Sequence, residues 1–125
     1  MILADTSIWI EFLRAREPAF SAMAPLLEQQ AILGLQCVFG ELLQGARTVA
    51  ERRTITAYWE SVPKSDEREL WIEAGQYSGE SNLLSKGVGL IDAAIIVAAR
   101  RSGAKVWTLD EKLMRVLGRA QGYVP

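Results

Sequence analysis

Short apolar runs alternate along this chain with longer stretches in which apolar residues recur every three or four positions. Strands are predicted at 2–4, 31–35 and 105–109, with short edge segments at 62–63 and 122–125. Helices are predicted for about ten residues after position 5 and over 19–30, 38–46, 51–59, 66–85, 92–101 and 111–117. Because strands alternate with helices, we expect an α/β sandwich with a mostly parallel central sheet.

Four acidic residues stand within or directly after segments that should be buried: Asp5, Glu41, Asp92 and Asp110. Acidic side chains are seldom buried unless they are paired or hold a metal ion. Asp5 and Asp110 follow predicted strands. Glu41 and Asp92 lie near predicted helix starts, so all four acids are expected at the carboxyl edge of the sheet. Four carboxylates at one edge predict a cage for Mg²⁺ or Mn²⁺ and metal-assisted phosphate chemistry.

Each of these acids also has a simpler interpretation. Asp5, Asp92 and Asp110 could be ordinary helix N-caps, because an Asp between a strand and a helix commonly accepts hydrogen bonds from the first free amides. Glu41 could instead pair with Arg47 or extend into solvent. The convergence of all four acids on one edge favours the metal site over four independent coincidences.

Three hydroxyl residues lie close to these acids in the sequence: Thr6, Ser7 and Thr108. They could orient the carboxylates or a bound water from outside the set of metal ligands. The alternatives are local helix capping for Thr6 and Ser7, and strand propensity for Thr108. We assign all three a supporting role around the acids.

Composition narrows the possible chemistry. The chain has 125 residues, half of them apolar, which suits one domain spanning 1–125. It contains no histidine, which excludes Ser-His-Asp and Cys-His nucleophile systems and histidine-ligated zinc. The single cysteine, Cys37, cannot form an internal disulfide, and no apolar run is long enough to cross a bilayer. We expect a cytoplasmic protein that does not contact membranes.

The net charge of −1 does not by itself indicate a nucleic-acid-binding protein. Once the four site acids are set apart, 14 basic residues remain against 11 acidic ones. Because a bound divalent metal would offset the charge of the site, a modest RNA-facing surface is compatible with this composition. The charge alone does not argue for such a surface.

Four sequence blocks resemble, in the same order, the motifs of PIN-domain ribonucleases, and most closely those of VapC-type toxins. The blocks are Ile2-Leu-Ala-Asp-Thr-Ser-Ile-Trp9, Glu41-Leu-Leu-Gln-Gly-Ala-Arg47, Gly89-Leu-Ile-Asp-Ala-Ala-Ile-Ile-Val-Ala-Ala99 and Val106-Trp-Thr-Leu-Asp110. The resemblance covers essentially the whole chain. There is one departure: family members often continue the last block as Asp-x-Asp-Phe, whereas this chain reads Asp110-Glu-Lys-Leu113 and lacks the second acid and the aromatic residue.

The resemblance implies a compact three-layer α/β/α domain with a parallel sheet. It implies a Mg²⁺- or Mn²⁺-dependent endoribonuclease that acts as the toxin of a toxin–antitoxin pair. On this basis we assign Asp5 and Asp92 as direct metal ligands. Glu41 and Asp110 would complete the cage directly or through water, with either one metal ion or two.

The resemblance also implies partners. These are an RNA substrate, a second copy of the chain in a homodimer, and a cognate VapB-type antitoxin that would supply any contact with DNA. The apolar helical face formed by Ile8, Trp9, Phe12 and Leu13 is a candidate part of the antitoxin groove. The alternatives for this face are burial against the sheet or contact in a dimer.

Two other functions remain open on the sequence. One is a PIN-like subunit that acts mainly as a binding module in a DNA-bound repressor complex with its antitoxin. The other is a different metal-dependent phosphatase or nuclease on an α/β scaffold. Cleavage of RNA by the isolated chain would separate the endoribonuclease from both.

Overall fold

The centre of the sheet is formed by two strands that are far apart in sequence, β1 (Ile2–Ala4) and β2 (Lys105–Trp107). They pair in parallel over their whole length. The amide of Asp5 continues this pairing, since it donates to the carbonyl of Trp107 at 3.0 Å. The structure is a computed structural model that describes residues 1–125. Because the two strands end at the same level, the residues that follow them emerge side by side.

Single parallel bridges extend this pair of strands on both sides, and they join Ile2 to Ile32, Gly34 to Lys64 and Val106 to Gly122. Across the sheet, the segments therefore lie in the order residue 64, residues 32–34, β1, β2 and residue 122. From the first edge to β1 the segments come progressively earlier in the sequence, and from β2 to the other edge they come later, so the order reverses between β1 and β2. Ligands of open parallel sheets bind at such a reversal, beyond the carboxyl ends of the strands. The predicted parallel sheet is confirmed, although the segments at 31–35 and 105–109 pair over fewer residues than expected.

Seven α-helices connect and cover these strands: α1 (Thr6–Leu13), α2 (Ala19–Glu28), α3 (Gln36–Gly45), α4 (Val49–Ser61), α5 (Leu70–Glu80), α6 (Leu90–Ser102) and α7 (Glu111–Gln121). A short 3-10 helix, Leu83–Lys86, precedes α6. No helix has the length and apolar character needed to cross a membrane. α1 packs on α2 and α3, and α3 packs on α4, whereas α5 packs on α6. Because parallel connections are right-handed, the two groups lie on opposite faces of the sheet, and the predicted three-layer α/β/α architecture is confirmed.

α6 is the central helix of the core. Its residues from Ala93 to Ala99 are all buried, so the helix is surrounded by protein on every side. It contacts β1, β2 and α5, and its apolar residues join one continuous hydrophobic cluster. Asp92 immediately precedes this buried stretch. The core therefore fixes the position of Asp92 at the carboxyl edge of the sheet.

The helix predicted over 66–85 is wrong in its extent. α5 begins only after Glu69, which adopts a left-handed conformation with a φ of 54°. Asp66 caps no helix; its carboxylate accepts a hydrogen bond from the amide of Arg68 at 3.1 Å and pairs with the Arg68 guanidinium. Asn82, also left-handed, separates α5 from the 3-10 helix. These left-handed residues break a stretch that looks continuous from its composition.

Candidate active site

Asp5 follows β1 and is buried at the point where β1 and β2 end. It caps α1, because Oδ1 accepts from the amide of Ile8 at 3.3 Å. The Ser7 hydroxyl donates to the same oxygen at 2.5 Å, and the Thr108 hydroxyl donates to Oδ2. Burial raises the pKa of Asp5, and these hydrogen bonds oppose the rise because they favour the charged form. The fold thus holds the Asp5 carboxylate in a buried position where its ionised form costs free energy.

Asp92 lies in the first turn of α6 and is half-buried. Its pKa is raised, first by burial and then by the negative charges of Asp110, Asp5 and Glu41. Asp5, Glu41 and Asp110 thus lie within electrostatic reach of Asp92. The four acids that the sequence singled out lie at the same edge of the sheet, but they are not packed into a ready three-ligand set.

Asp110 lies just beyond β2 and caps α7. Its Oδ1 accepts from the amides of Lys112 at 2.8 Å and Leu113 at 3.3 Å. These hydrogen bonds use only one carboxylate oxygen and leave Oδ2 for a ligand. Asp110 is exposed, so the site opens to solvent on this side.

Glu41 comes from α3 and is exposed at the rim of the site. The Thr6 hydroxyl donates to Glu41 Oε1 at 2.7 Å, which links α3 to the start of α1. The alternative pairing with Arg47 is wrong, since no ion pair joins the two residues and the Arg47 amide donates to Glu51 instead. A neutral hydroxyl orients Glu41 without cancelling its charge.

The three hydroxyl residues form a network around the acids. Thr108 donates to Asp5 and accepts from the amide of Asp110 at 3.0 Å, so it connects two of the acids. Ser7 donates to Asp5 and accepts from the amide of Leu109 at 3.1 Å. This network ties the start of α1 to the segment after β2. A functional role for the hydroxyls stays a prediction, but each of them contacts an acid.

Capping and site membership are not exclusive here. Asp5 and Asp110 both cap helices, as the simpler interpretation held, and both also contribute charge to the cluster. The capping interpretation is wrong for Asp92, because Gly89 is the N-cap of α6 and Asp92 lies inside its first turn. A carboxylate in that position still interacts favourably with the helix dipole.

The donor chemistry of the cluster fits a hard divalent cation. All four candidate ligands offer carboxylate oxygens, and the repulsion among them would be relieved by a positive ion. As the side chains stand, no three acidic or thiol groups are close enough to ligate one ion together. Mg²⁺ commonly keeps several waters and contacts some carboxylates through them, so this looser arrangement remains compatible with the ion.

A groove of about 690 Å³ lies beside the acids, between α1, α3 and α4, and Glu41 forms part of its wall. Ile8, Trp9 and Phe12 are buried, so the burial alternative is correct for most of the apolar face predicted to meet an antitoxin. Leu13 does line the groove. Most of the other lining residues were not predicted from the sequence. The helical spacing of Ile10, Leu13 and Arg14 was the signal that these three residues share one side of α1.

The PIN domain family profile matches residues 2–118. The protein named Ribonuclease VapC32 from Mycobacterium tuberculosis, in strain CDC 1551 / Oshkosh and in strain ATCC 25618 / H37Rv, is 32% identical over 117 residues. The alignment covers 90% of this chain and 87% of each relative. The chain therefore belongs to the PIN domain family, as the order of its four acidic motifs predicted, and its resemblance to VapC-type proteins is confirmed.

Proposed function

We propose that this chain is a single PIN-like domain, spanning 1–125, that acts as a metal-dependent endoribonuclease and as the toxin of a toxin–antitoxin pair. One observation carries the proposal: the Thr108 hydroxyl links Asp5 to the backbone of Asp110, and Asp92 lies within electrostatic reach of both and of Glu41. Four acids from distant parts of the chain thus lie at the carboxyl edge of the sheet. The name ribonuclease, which the relatives carry, supports this reading.

The proposed cofactor is Mg²⁺ or Mn²⁺, held by Asp5 and Asp92 and completed by Glu41 and Asp110 directly or through water. When bound, such an ion neutralises phosphate charge and lowers the pKa of a coordinated water. Because the chain has no histidine, carboxylates are the groups assembled at this edge that can ligate a hard divalent cation. A carboxylate cage is therefore the chemistry that these residues can support.

The chain's own residues hold two of the acids in place and leave one side of the site open to RNA. Thr108 and Ser7 fix both oxygens of Asp5, and Thr6 fixes Glu41, so two of the acids need little reorganisation. Asp5 is buried, whereas Glu41 and Asp110 are exposed. A strand of RNA would approach from the exposed side and place a phosphodiester over the buried acids.

The proposed partners follow from the surfaces around the site. A VapB-type antitoxin would place a segment in the groove beside Glu41, whose walls combine the apolar Ile10 and Leu13 with the cations Arg14 and Arg47. Such a segment would reach the acids at the end of the groove and block RNA. We expect a homodimer, with DNA bound only through the antitoxin.

The test is cleavage of total cellular RNA by the purified chain, free of any partner, with Mg²⁺, with Mn²⁺ and with chelator. Asp92→Asn should reduce cleavage at least about a hundredfold, equivalent to about 2.7 kcal/mol of activation barrier. The matched control is Asp66→Asn, since Asp66 is the one remaining aspartate of the chain. The backbone carbonyl of Asp66 accepts from Arg101, at the far end of α6 and about 14 Å from Asp92 along the helix axis.

Cleavage that needs metal, disappears in Asp92→Asn and survives in Asp66→Asn would establish the endoribonuclease. No cleavage of RNA by a folded chain would favour the binding-module alternative. Activity on a phosphomonoester without activity on RNA would favour the phosphatase alternative. Cleavage that persists in chelator and in Asp92→Asn would refute the assigned site.

A further inference from the structure

A second cavity, of about 470 Å³, lies between α5, the 3-10 helix and the first turns of α7. Every charged residue in its wall is basic: Lys86, Lys112 and Arg115. The remaining lining residues are neutral, namely Tyr77, Ser81, Leu83 and Val116. We call Lys86, Lys112, Arg115 and their neutral neighbours the basic pocket. In a chain with a net charge of −1, three cations gathered in one concave site require an explanation.

The positive charge of the basic pocket is largely uncompensated. Lys86 donates to the backbone carbonyl of Ser81 at 3.2 Å, and a carbonyl does not cancel its charge. Arg115 has a single acidic neighbour, Glu111 at 3.9 Å, and the two side chains are 77% and 81% exposed. Such an exposed pair contributes little. Lys112 forms no ion pair, so all three cations are available to an anionic ligand.

Lys112 places the basic pocket next to the acidic site. Its amide donates to Asp110, and its side chain crosses Gly87, where an added Cβ would lie 2.8 Å from Lys112 Cδ. Gly87 has a φ of 75°, so a larger residue there would also be strained. Gly87 stands two residues before Gly89, the N-cap of the helix that carries Asp92. Lys112 thus bridges the two segments that present Asp92 and Asp110.

We propose that the basic pocket binds a phosphate group of the RNA strand adjacent to the phosphodiester that is cleaved. This inference rests on the proposed endoribonuclease function and specifies how that site holds its substrate. Four acids repel a polyanion, so affinity for RNA has to come from cations beside them. Lys112 borders the acids, while Lys86 and Arg115 extend the positive surface away from them. The strand would therefore run from the acids across Lys112 into the pocket.

The experiment measures RNA binding without cleavage. A short, fluorescein-labelled oligouridylate is titrated with the Asp92→Asn chain, and binding is followed by fluorescence anisotropy over a range of salt concentrations. Lys112→Gln and Arg115→Gln are introduced into that chain singly and together. The matched control is Arg53→Gln, because Arg53 is exposed on α4, outside the basic pocket and the groove.

Each lost phosphate contact should reduce the magnitude of the negative slope of log affinity against log salt by about 0.7. The double variant should bind roughly tenfold more weakly at low salt, while Lys112→Arg should keep the affinity and slope of the parent. Arg53→Gln should leave both unchanged. Melting temperatures of all variants should match the parent, because the substituted side chains are exposed.

Equal losses in Lys112→Gln and Arg53→Gln would overturn the inference, because the effect would then reflect overall charge. It would also be overturned if RNA binding stayed intact while an acidic segment of an antitoxin bound more weakly. If the pocket variants lost RNA binding but the wild-type chain cleaved no RNA, the phosphate site would stand and the endoribonuclease would fall. If the wild type cleaved RNA but the pocket variants bound RNA as well as the parent, the endoribonuclease would stand and the phosphate site would fall.

Discussion

The two ends of α6 place charged residues in opposite circumstances. At its start, Asp92 is half-buried among like charges that raise its pKa. At its end, Arg101 donates to Glu73 at 3.1 Å through Nε and to the carbonyl of Asp66 at 2.8 Å through Nη1. Both signs suit the helix dipole, which favours acids at the start and bases at the end. Asp92 thus has no countercharge, whereas Arg101 is paired with one.

This difference separates a charge that stabilises the fold from one that does not. Arg101 has a side chain only 20% exposed and is matched by partners, so it stabilises the connection between α5 and α6. Asp92 is placed where its ionised form costs free energy, and the surrounding acids add to that cost. An unbalanced group on the most buried helix of the core is what a cation-binding site requires. The comparison therefore predicts opposite responses at the two ends of α6.

The largest effect should come from adding a divalent cation. At a concentration one hundred times its dissociation constant, Mg²⁺ or Mn²⁺ should stabilise the folded chain by about 2.7 kcal/mol. For a domain of this size that corresponds to a rise in melting temperature of roughly 10 °C. Differential scanning fluorimetry across millimolar metal measures it. Asp92→Asn should lose most of the shift and Asp66→Asn should keep it; an unchanged shift in both would place the metal elsewhere.

At the other end of the helix, Arg101→Met should destabilise the chain by about 1–2 kcal/mol. The substitution keeps the aliphatic bulk but removes a charge-assisted pair with Glu73 and a hydrogen bond to the backbone. Urea unfolding measures the loss. Arg68→Met is the control, since its ion pair with Asp66 is exposed and should add nothing measurable. If Arg101→Met were as stable as the wild type, the claim that Arg101 stabilises the connection between α5 and α6 would be wrong.

In the absence of metal, Asp92→Asn should have a smaller effect, and it should stabilise the chain where Arg101→Met destabilises it. Removing the half-buried charge relieves the repulsion from Asp5, Glu41 and Asp110, so the chelated variant should be more stable than the wild type. Screening by solvent limits the gain to at most about 1 kcal/mol. Urea unfolding in chelator gives the comparison. A variant that is less stable than the wild type would mean that Asp92 is structurally paired.

The smallest effect is the pH dependence of that gain. The pKa of Asp92 is raised in the folded state. Its contribution to the stability of the fold is therefore fully present below the pKa of the unfolded chain, near pH 4, and is lost as the pH rises through the pKa of the folded chain. The stability difference between Asp92→Asn and the wild type should therefore be present at neutral pH and shrink towards pH 4. Melting temperatures in chelator across this range measure it. A difference that grows on acidification would contradict the direction of the shift.

The sequence predicted well those features that depend on long, uniform patterns. The apolar stretch after Asp92 can only be a buried helix or strand, and its length selects the helix. Asp5 and Asp110 follow apolar runs, so their place at the strand ends was predictable without knowledge of their partners. Local capping chemistry and sheet topology point to the same positions, which is why the placement of Asp5 and Asp110 at one edge of the sheet could be predicted.

Other features depend on contacts that the sequence does not encode locally. Nothing near Glu41 indicated that Thr6 rather than Arg47 would meet it, because the pairing depends on how α1 and α3 pack. The basic pocket likewise arises only when α7 folds against the 3-10 helix and brings Lys112 over Gly87. The start of α5 was misplaced because Glu69 takes a left-handed conformation that its residue type does not favour.

Because β1 pairs with β2, the site can form only after the later of these two strands has been synthesised. The hydrogen bond from Thr108 to Asp5 spans 103 residues, and Asp110 lies later still. A chain that is still being translated therefore carries Asp5 and Glu41 long before the segment that completes the cluster has left the ribosome. If the acids cleave RNA, the nascent chain stays harmless to the messenger and the ribosome that produce it. The long sequence separation of the central strands thus delays assembly of the four acids until nearly the whole chain has been synthesised.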